Sequence, residues 1–421
     1  MLVYRITIVI MNIGIDVNCL IFEKAGFGRY TYNLVKNLLK IDQKNHSFRR
    51  NHFFLYASFI RQRNERKKIL EDLIKETKAK NVTVRIIPIP ARWKEFLIGL
   101  PISIKHFIKD PLDVYFAPHF AGIPKKGFDN KVRMIVTIHD LVFQKFPEHR
   151  GRKLSNYYLK RTKIALEQAK TIIAVSNSTK KDIQQYFKLK NNRLKNKKIV
   201  VIPEAVTENF KVCKNNQICK NNKVCKNKKL VEEKTNKYIP RDTQFILSVG
   251  TLEPRKNLSL IIKAFALLPN NLKKEYKIVF TGGAGWNNKI LTQTIKNYNL
   301  ESKVIFTGFA EESILPYIYN RASVFIYPSL YEGFGLPPLE AMASGTPVIA
   351  SNCSSLPEVI GSAGILIDPK SEEELASAIK KILLSPKLAH KLSLRGLKQA
   401  KKFSWEKVAR KTLEVLEKSA K

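Results

Sequence analysis

Apolar runs and glycine-containing turns alternate along the second half of the chain. The run ASVFIYPS, residues 322–329, predicts a buried strand. Pro337 and Pro338 suit the first turn of a helix, LEAMAS continues it, and Gly345 ends it before a second strand, TPVIAS. This order predicts one βαβ unit. In such sheets ligands bind beyond the carboxyl ends of the strands, beside helix N-termini that attract anions.

The same pattern occurs three more times upstream of this unit. The run FILSVG predicts a strand that ends at Gly250, and KIVFTGGAGW and KVIFTGF predict strands that end near Gly283 and Gly308. We therefore expect a doubly wound parallel α/β domain whose ligand edge is formed by these glycine loops. A helix is predicted after the first strand by apolar residues at helical spacing, namely Leu258, Ile261, Ile262, Phe265 and Leu268.

Four charged residues fall on this predicted ligand edge. Arg255 and Lys256 follow the first strand, Glu332 lies in the loop before the predicted helix, and Glu340 lies about one turn into it. Carboxylates accept hydrogen bonds from hydroxyl groups, and the helix N-terminus favours an anion. A nucleotide sugar offers both hydroxyl groups and an anionic diphosphate. The alternatives are a capped helix with a surface glutamate and a solvated Arg–Lys turn.

Six motifs, in order along nearly the whole chain, resemble the family 4 glycosyltransferases, most closely their bacterial mannosyltransferase-like members. They are GFGRYTYNLVKNLL, TIHDLVFQKFPEH, IIAVSNSTKKDI, VGTLEPRKN, TGGAGW and the pair of glutamates with seven residues between them. The resemblance implies a retaining enzyme with the GT-B fold, in which two Rossmann-like domains face each other across a cleft. We expect an acceptor-side domain at 1–205, completed by a returning helix at 404–421, an insert at 206–240 and a donor-side domain at 241–403.

The resemblance also implies roles for the charged residues. Lys256 and Arg255 would neutralise the charge that grows on the nucleoside diphosphate as it departs, which is a common catalytic device. Many relatives have an arginine where this chain has Thr251, and Arg255 would take over the role of that arginine. Glu332 would bind hydroxyls of the transferred sugar, and Glu340 would bind the ribose.

Further residues follow from the same resemblance. His139 in TIHD would contact the donor sugar near its reactive face, although a purely structural histidine is the alternative, and Asp140 would orient or cap. Gly28 in GFGRY would face the diphosphate or the reacting sugar. The remaining expected donor-binding positions supply backbone groups and are Phe334, Gly335, Leu336, Gly250, Gly283 and Gly308.

The sequence contains no D-x-D motif, which many glycosyltransferases use to hold a divalent metal. We therefore predict no metal and no other cofactor, with the nucleotide sugar as substrate. GDP-mannose is the leading donor, and the product is expected to be a cell-surface polysaccharide such as lipopolysaccharide. A UDP-sugar donor and a non-catalytic sugar-binding protein are the alternatives.

The chain of 421 residues has a formal net charge of +40, concentrated in its first half. Residues 1–205 contain 41 Lys and Arg against 16 Asp and Glu. Such an excess favours docking on an anionic membrane surface, and residues 91–109 mix aromatic, aliphatic and basic side chains in a way that suits an interface. A lysine-rich composition alone is the other explanation. Nucleic-acid binding is a rival explanation, but no nucleic-acid-binding motif accompanies the charge, so we expect no nucleic-acid partner. We expect a cytoplasmic protein that binds peripherally to the membrane.

Two features mark the less regular parts of the chain. Residues 212–229 form a six-residue repeat that carries Cys213, Cys219 and Cys225. Zinc sites usually add CxxC pairs or histidines, so a low-complexity surface loop is the favoured interpretation. Five cysteines in all argue against a disulfide scaffold. Met1 and Met11 are both possible starts, and no uncharged apolar stretch is long enough to span a membrane.

Overall fold

The computed structural model describes residues 11–22, 26–44, 51–59, 63–87, 108–123, 131–187, 197–212, 235–285 and 289–420. The chain divides into two compact units. Unit 1 comprises Met1–Glu204 and Trp405–Lys421, and unit 2 comprises Ala205–Ser404. The possible start-site residues 1–10, most of the cysteine repeat and residues 91–107 of the predicted interfacial segment lie outside the described residues.

Within its described residues, unit 1 contains a seven-stranded parallel sheet with the order β3-β2-β1-β4-β5-β6-β7. The strands are β1 Asn12–Asp16, β2 His52–Ser58, β3 Val82–Ile87, β4 Val114–Ala117, β5 Arg133–Ile138, β6 Thr171–Ala174 and β7 Lys198–Val201. The helices are α1 Asn18–Phe22, α2 Phe27–Lys44, α3 Arg63–Thr77, α4 Val142–Lys145, α5 Arg152–Gln168 and α6 Asn177–Phe187.

The central strands of unit 1 are short apolar runs because helices cover both faces of a parallel sheet. Ile15 of β1 is aligned with Leu55 of β2 on one side and with Phe116 of β4 on the other, and all three side chains are fully buried. The strand order reverses between β1 and β4. That reversal creates the crevice at which doubly wound sheets bind their ligands.

Unit 2 contains a six-stranded parallel sheet with the order β10-β9-β8-β11-β12-β13 in its described part. The strands are β8 Gln244–Val249, β9 Tyr276–Thr281, β10 Val304–Gly308, β11 Val324–Tyr327, β12 Val348–Ser351 and β13 Ile365–Ile367. The helices are α7 Leu258–Ala266, α8 Asn270–Glu275, α9 Lys289–Asn297, α10 Leu315–Arg321, α11 Leu336–Ala343, α12 Leu356–Ile360, α13 Glu372–Leu383 and α14 Pro386–Ala400. Here the reversal lies between β8 and β11.

The apolar spacing that predicted a helix after β8 is explained by the core of unit 2. Leu258, Ile261, Ile262, Phe265 and Leu268 are all buried in a single cluster with strand residues such as Ile278 of β9 and Ile326 of β11. Burying a side chain of this size contributes roughly 1.5–3 kcal/mol. This packing holds α7 against a face of the sheet, and hence the turn before it at the carboxyl ends of the strands.

The last helix, α15 (Trp405–Ala420), belongs to unit 1 rather than to the unit that precedes it in sequence. It packs along α2, where the ring of Trp405 lies edge-on to the ring of Tyr30 with centroids 5.6 Å apart. Two Rossmann-like units and a returning last helix confirm the predicted fold class. None of the helices in the described ranges is both long and apolar enough to cross a bilayer.

Candidate active site

The candidate site of unit 2 lies at the strand reversal between β8 and β11. Strand β8 leads into a one-turn 3-10 helix, Pro254–Lys256, and β11 leads into the loop that carries Glu332. The two connections are tied together, because the amide of Leu330 donates to the carbonyl of Arg255 at 2.9 Å. The topology therefore brings together residues that are about 75 positions apart in sequence.

An ion cluster of alternating charge occupies this point. The ammonium nitrogen of Lys256 lies 2.7 Å from Oε1 of Glu332, and Nη1 of Arg255 lies 2.8 Å from the same oxygen. Arg255 also forms an ion pair with Glu253 and donates to the carbonyl of Tyr331. Two cations and two carboxylates thus meet in a nearly buried cluster, which fixes the cations in place before any ligand arrives.

Two hydroxyl groups complete the cluster. Tyr327, the last residue of β11, accepts a hydrogen bond at its hydroxyl from Lys256, and Ser329 donates to Oε1 of Glu332 at 2.6 Å. The Lys256 ammonium also lies 4.8 Å from the centre of the Tyr327 ring. Oε1 of Glu332 therefore receives hydrogen bonds from a lysine and a serine and forms an ion pair with an arginine.

The charges of the cluster shift its pKa values in opposite directions. Burial by itself would raise the pKa of Glu332, but the neighbouring Arg255 and Lys256, helped by Ser329, hold it at about 2. Burial, followed by the repulsion of Arg255, lowers the pKa of Lys256, and the contact with Glu332 opposes that fall. Glu332 is consequently ionised at neutral pH and helps to keep Lys256 protonated.

The glycine turn after Glu332 leads directly into α11. Gly335 has a φ of 118°, and a Cβ there would come within 2.9 Å of a methyl group of Leu356, so a side chain would strain the backbone and require Leu356 to shift. Pro337 and Pro338 have no N–H group, so the amide groups available near the start of α11 come from the residues that flank these prolines. Phe334 and Leu336 flank Gly335, and their expected contacts with a sugar or phosphate stay predictions.

Glu340 has different surroundings from Glu332. It lies in the second turn of α11, is only 2% exposed, and accepts a hydrogen bond at Oε2 from the hydroxyl of Tyr319 at 3.0 Å. The predicted placement of one glutamate in the loop and one in the helix is confirmed. The predicted contact of Glu340 with a ribose stays a prediction.

The three glycines expected at the ligand edge follow the carboxyl ends of neighbouring strands. Gly250 has a φ of 146°, which L side chains rarely adopt, so the backbone rather than lack of space favours glycine beside Lys256. The carbonyl of Gly283 accepts from Leu252 at 3.1 Å. Gly308 ends β10, and its carbonyl accepts from Gly282 at 2.9 Å.

In unit 1, His139 follows β5 and is held at both ring nitrogens. Nδ1 lies 2.7 Å from Oε1 of Glu204, and Nε2 lies 2.9 Å from the carbonyl of Pro118. Burial lowers the pKa of the His139 imidazole, but the bonds to Glu204 and Pro118 and the charge of Asp140 outweigh it and raise that pKa overall. Because both partners are acceptors, this geometry favours a ring protonated at both nitrogens.

Residues of α2 pack against the His139 ring. Phe27 lies 4.8 Å from it between centroids, and Tyr30 meets it edge-on at 4.5 Å. Gly28, between them, is buried in the first turn of the helix. Asp140 precedes Leu141, the N-cap residue of α4, and accepts the amide hydrogen of Val142 at 3.0 Å, which fits the orienting role among the two expected of it. Whether His139 contacts a donor sugar stays a prediction.

Four residues of these clusters were not singled out from the sequence. Tyr327 carries a hydroxyl at the end of a buried strand, Ser329 follows it, and Glu204 is a lone carboxylate after β7. Each has the same local signal, a polar side chain at the carboxyl end of an apolar strand. Glu253 could have been found in EPRKN, where it directly precedes the predicted cations.

Comparison with known proteins finds similarity along most of the chain. The family model described as Glycosyltransferase Family 4 matches residues 25–210, and the model described as Glycosyl transferases group 1 matches residues 231–399. The O-antigen chain mannosyltransferase B of Escherichia coli is 30% identical over 409 residues, which cover 93% of this chain and 96% of that protein.

Solved structures are similar in fold at lower identity. Sucrose-phosphate synthase from Thermosynechococcus elongatus superposes with a TM-score of 0.69 at 19% identity and covers 97% of this chain and 98% of its own. HepE of Anabaena, solved in complex with UDP and glucose, has a TM-score of 0.65 at 17% identity and covers 97% of this chain and 99% of its own.

Proposed function

Because the chain belongs to glycosyltransferase family 4, we propose that this glycosyltransferase moves mannose from GDP-mannose to a glycan or lipid-linked acceptor, with retention of configuration. The product is a cell-surface polysaccharide of the lipopolysaccharide type. The observation that carries the choice of mannose is the full-length similarity to an enzyme named as an O-antigen mannosyltransferase.

The geometry of the ion cluster supports transfer from a nucleoside diphosphate. As the bond between the anomeric carbon and the diphosphate oxygen breaks, negative charge grows on the leaving phosphate. Lys256 and Arg255 lie at the strand reversal of unit 2, next to the turn before α11, where doubly wound sheets bind phosphates. Cations fixed in advance and nearly buried stabilise such charge without first having to reorganise.

Glu332 is proposed to serve two purposes in the same step. Its carboxylate would accept hydrogen bonds from hydroxyls of the transferred sugar, and it already holds the ammonium of Lys256 at 2.7 Å. The departing phosphate oxygen is proposed to take the proton of the acceptor hydroxyl as the new glycosidic bond forms. The reaction then needs no protein side chain as general base.

The proposed reaction also needs no divalent metal. Its support is the absence of a D-x-D motif from the sequence together with the presence of Lys256 and Arg255, which can neutralise the diphosphate. Turnover should therefore persist when EDTA is added in excess. Loss of turnover in EDTA that manganese restores would overturn this part of the proposal.

A UDP-sugar is the second candidate donor, and one observation favours it. A structure of similar fold, HepE, was solved with UDP and glucose. Thermal shift with GDP, UDP and ADP separates the candidates, because a nucleotide that binds the native state raises the melting temperature by mass action. We expect the largest shift with GDP and turnover with GDP-mannose. A shift with UDP alone, with turnover of a UDP-sugar, would replace the proposed donor.

Peripheral docking on anionic lipid is proposed from charge alone. Residues 1–205 have a net charge of +25, from 41 basic and 16 acidic side chains. Basic surfaces bind anionic membranes through interactions that salt screens. The protein should float with vesicles that contain phosphatidylglycerol at low salt and separate from them at high salt. Flotation that does not depend on anionic lipid would contradict the proposal.

A further inference from the structure

Two consecutive serines after β12 hold the backbone of the Glu332 loop. The hydroxyl of Ser354 accepts the amide hydrogen of Glu332 at 3.0 Å. The hydroxyl of Ser355 lies 2.6 Å from the carbonyl of Phe334 and 3.0 Å from the carbonyl of Glu332, so its one hydrogen is shared between these two oxygens. The backbone N–H and the backbone carbonyl of Glu332 are therefore both hydrogen-bonded to one short segment.

The backbone of Ser354 is strained. Its φ is 51°, in the left-handed region where a side chain is penalised and glycine is not. In the described part of unit 2, Asn257 and Asn299 are the other non-glycine residues with positive φ. Asn257 directly follows Lys256. Strained positions thus border both partners of the Lys256–Glu332 pair, and strain of this kind persists where surrounding structure and function require it.

Ser355 departs from the usual use of serine before a helix. It immediately precedes α12, where a serine commonly accepts an amide hydrogen from its own helix. Its side chain makes no such bond. Its hydroxyl donates instead to the Glu332 loop, 21 and 23 positions earlier in the chain, and is fully buried there.

We propose that Ser354 and Ser355 are positioning residues that fix the Glu332 carboxylate against Lys256 and Arg255. With the Glu332 amide and carbonyl held, only side-chain rotations remain to be fixed, and Lys256, Arg255 and Ser329 meet the carboxylate at 2.6–2.8 Å. This inference rests on the proposed role of Glu332 in sugar transfer. The serines act through Glu332, and a displacement of about 1 Å at such a site lowers turnover strongly.

The direct test is Ser354→Gly. Glycine relieves the backbone strain and removes the hydroxyl, so the folded protein should melt at the same temperature or higher, whereas kcat with the donor sugar should fall about tenfold and KM should change little. Ser355→Ala should lower kcat in the same way. Asn299→Gly is the matched control, because it relieves the same kind of strain away from the ion cluster and should leave kcat unchanged.

A double-mutant cycle with Glu332→Gln distinguishes the ways in which the inference could fail. If Ser354 acts through Glu332, Ser354→Gly should cost little additional kcat in the Glu332→Gln background. If Glu332→Gln lowers kcat but Ser354→Gly and Ser355→Ala do not, or if the losses simply multiply, the positioning role is overturned while the proposed function stands. If Glu332→Gln itself is fully active, the proposed role of Glu332 fails, and the inference fails with it.

Discussion

At the scale of single residues, Glu332 and Glu340 are both buried glutamates whose neighbours differ in charge. Glu332 meets two cations, whereas Glu340 is bonded to the neutral hydroxyl of Tyr319. A carboxylate in contact with Lys256 would interact electrostatically with the charge that develops during sugar transfer. A carboxylate that holds a ribose would contact a group that does not change during the reaction.

We therefore expect the two glutamates to affect different kinetic parameters. Glu332→Gln should lower kcat, because it weakens the contact with the sugar and the protonation of Lys256 in the transition state. Glu340→Gln should mainly raise the KM of the donor, because it removes binding that is uniform along the reaction. Steady-state donor kinetics measure both, and Glu275→Gln, exposed at the opposite edge of the sheet, is the control. Equal effects of the two substitutions on kcat would contradict this division.

The depressed pKa of Glu332 also makes a prediction about stability. The folded-state pKa of about 2 lies below the ordinary value of 4.5, so the contribution of Glu332 to stability is present above about pH 4.5 and is lost as the pH falls towards 2. At neutral pH it amounts to roughly 3 kcal/mol. The urea midpoints of wild type and Glu332→Gln should therefore differ at neutral pH and approach each other near pH 3. A gap that does not change with pH would refute this explanation.

At the scale of elements, the strand ends decide which side chains meet. His139 follows β5 and Glu204 follows β7, with β6 between the two strands. Parallel strands bring their carboxyl ends to one edge, so a histidine and a carboxylate 65 positions apart reach each other at 2.7 Å. The resulting pair favours a protonated imidazole inside unit 1.

Removal of the Glu204 charge should lower the pKa of His139. In the wild type that pKa is raised above 6.5, so the stabilising contribution of the His139 charge is fully present below pH 6.5 and is lost as the pH rises through the folded-state value. In Glu204→Gln the burial of the ring dominates, and the ring should lose its proton at lower pH. NMR titration of the His139 ring measures this, with the exposed Glu148→Gln as control. An unchanged titration would show that Glu204 is not the cause.

Element existence could be predicted from local pattern, whereas side-chain partners could not. The apolar runs and glycine turns predicted β8, β11, α11 and β12, because helices and strands follow from the spacing of neighbouring residues. The bond of Ser354 to Glu332 and that of Tyr327 to Lys256 join residues 22 and 71 positions apart. Such contacts depend on strand order, which no local window contains.

In the molecule as a whole, the two Rossmann-like units carry different candidate functional groups. Unit 2 carries the ion cluster and the glycine turns, while unit 1 carries the His139–Glu204 pair and most of the positive charge. The cysteine repeat begins at Val212. The carbonyl of Lys211 accepts from Asn320 at 3.0 Å, so the chain is anchored to unit 2 up to that point.

Deletion of residues 213–229 should therefore leave fold and turnover nearly unchanged. The deletion keeps Lys211 and Val212, whose contacts belong to unit 2, and removes a segment expected to be a surface loop. The melting temperature should change by less than about 2 °C, since a larger change would correspond to a loss of roughly 1 kcal/mol. A large fall in melting temperature, or stoichiometric zinc in the purified wild type, would show that the repeat is structural.

We propose above all that the cations after β8 stabilise the leaving diphosphate of a sugar donor. The most direct measurement is the kcat for transfer from GDP-mannose by wild type and Lys256→Ala, with Lys274→Ala, exposed in α8 near the opposite edge, as control. The claim predicts a fall of roughly 10²–10³-fold in kcat for Lys256→Ala, the scale seen when one fixed charge-stabilising group is removed, and no fall for the control. A correctly folded Lys256→Ala protein that keeps the wild-type kcat would contradict it.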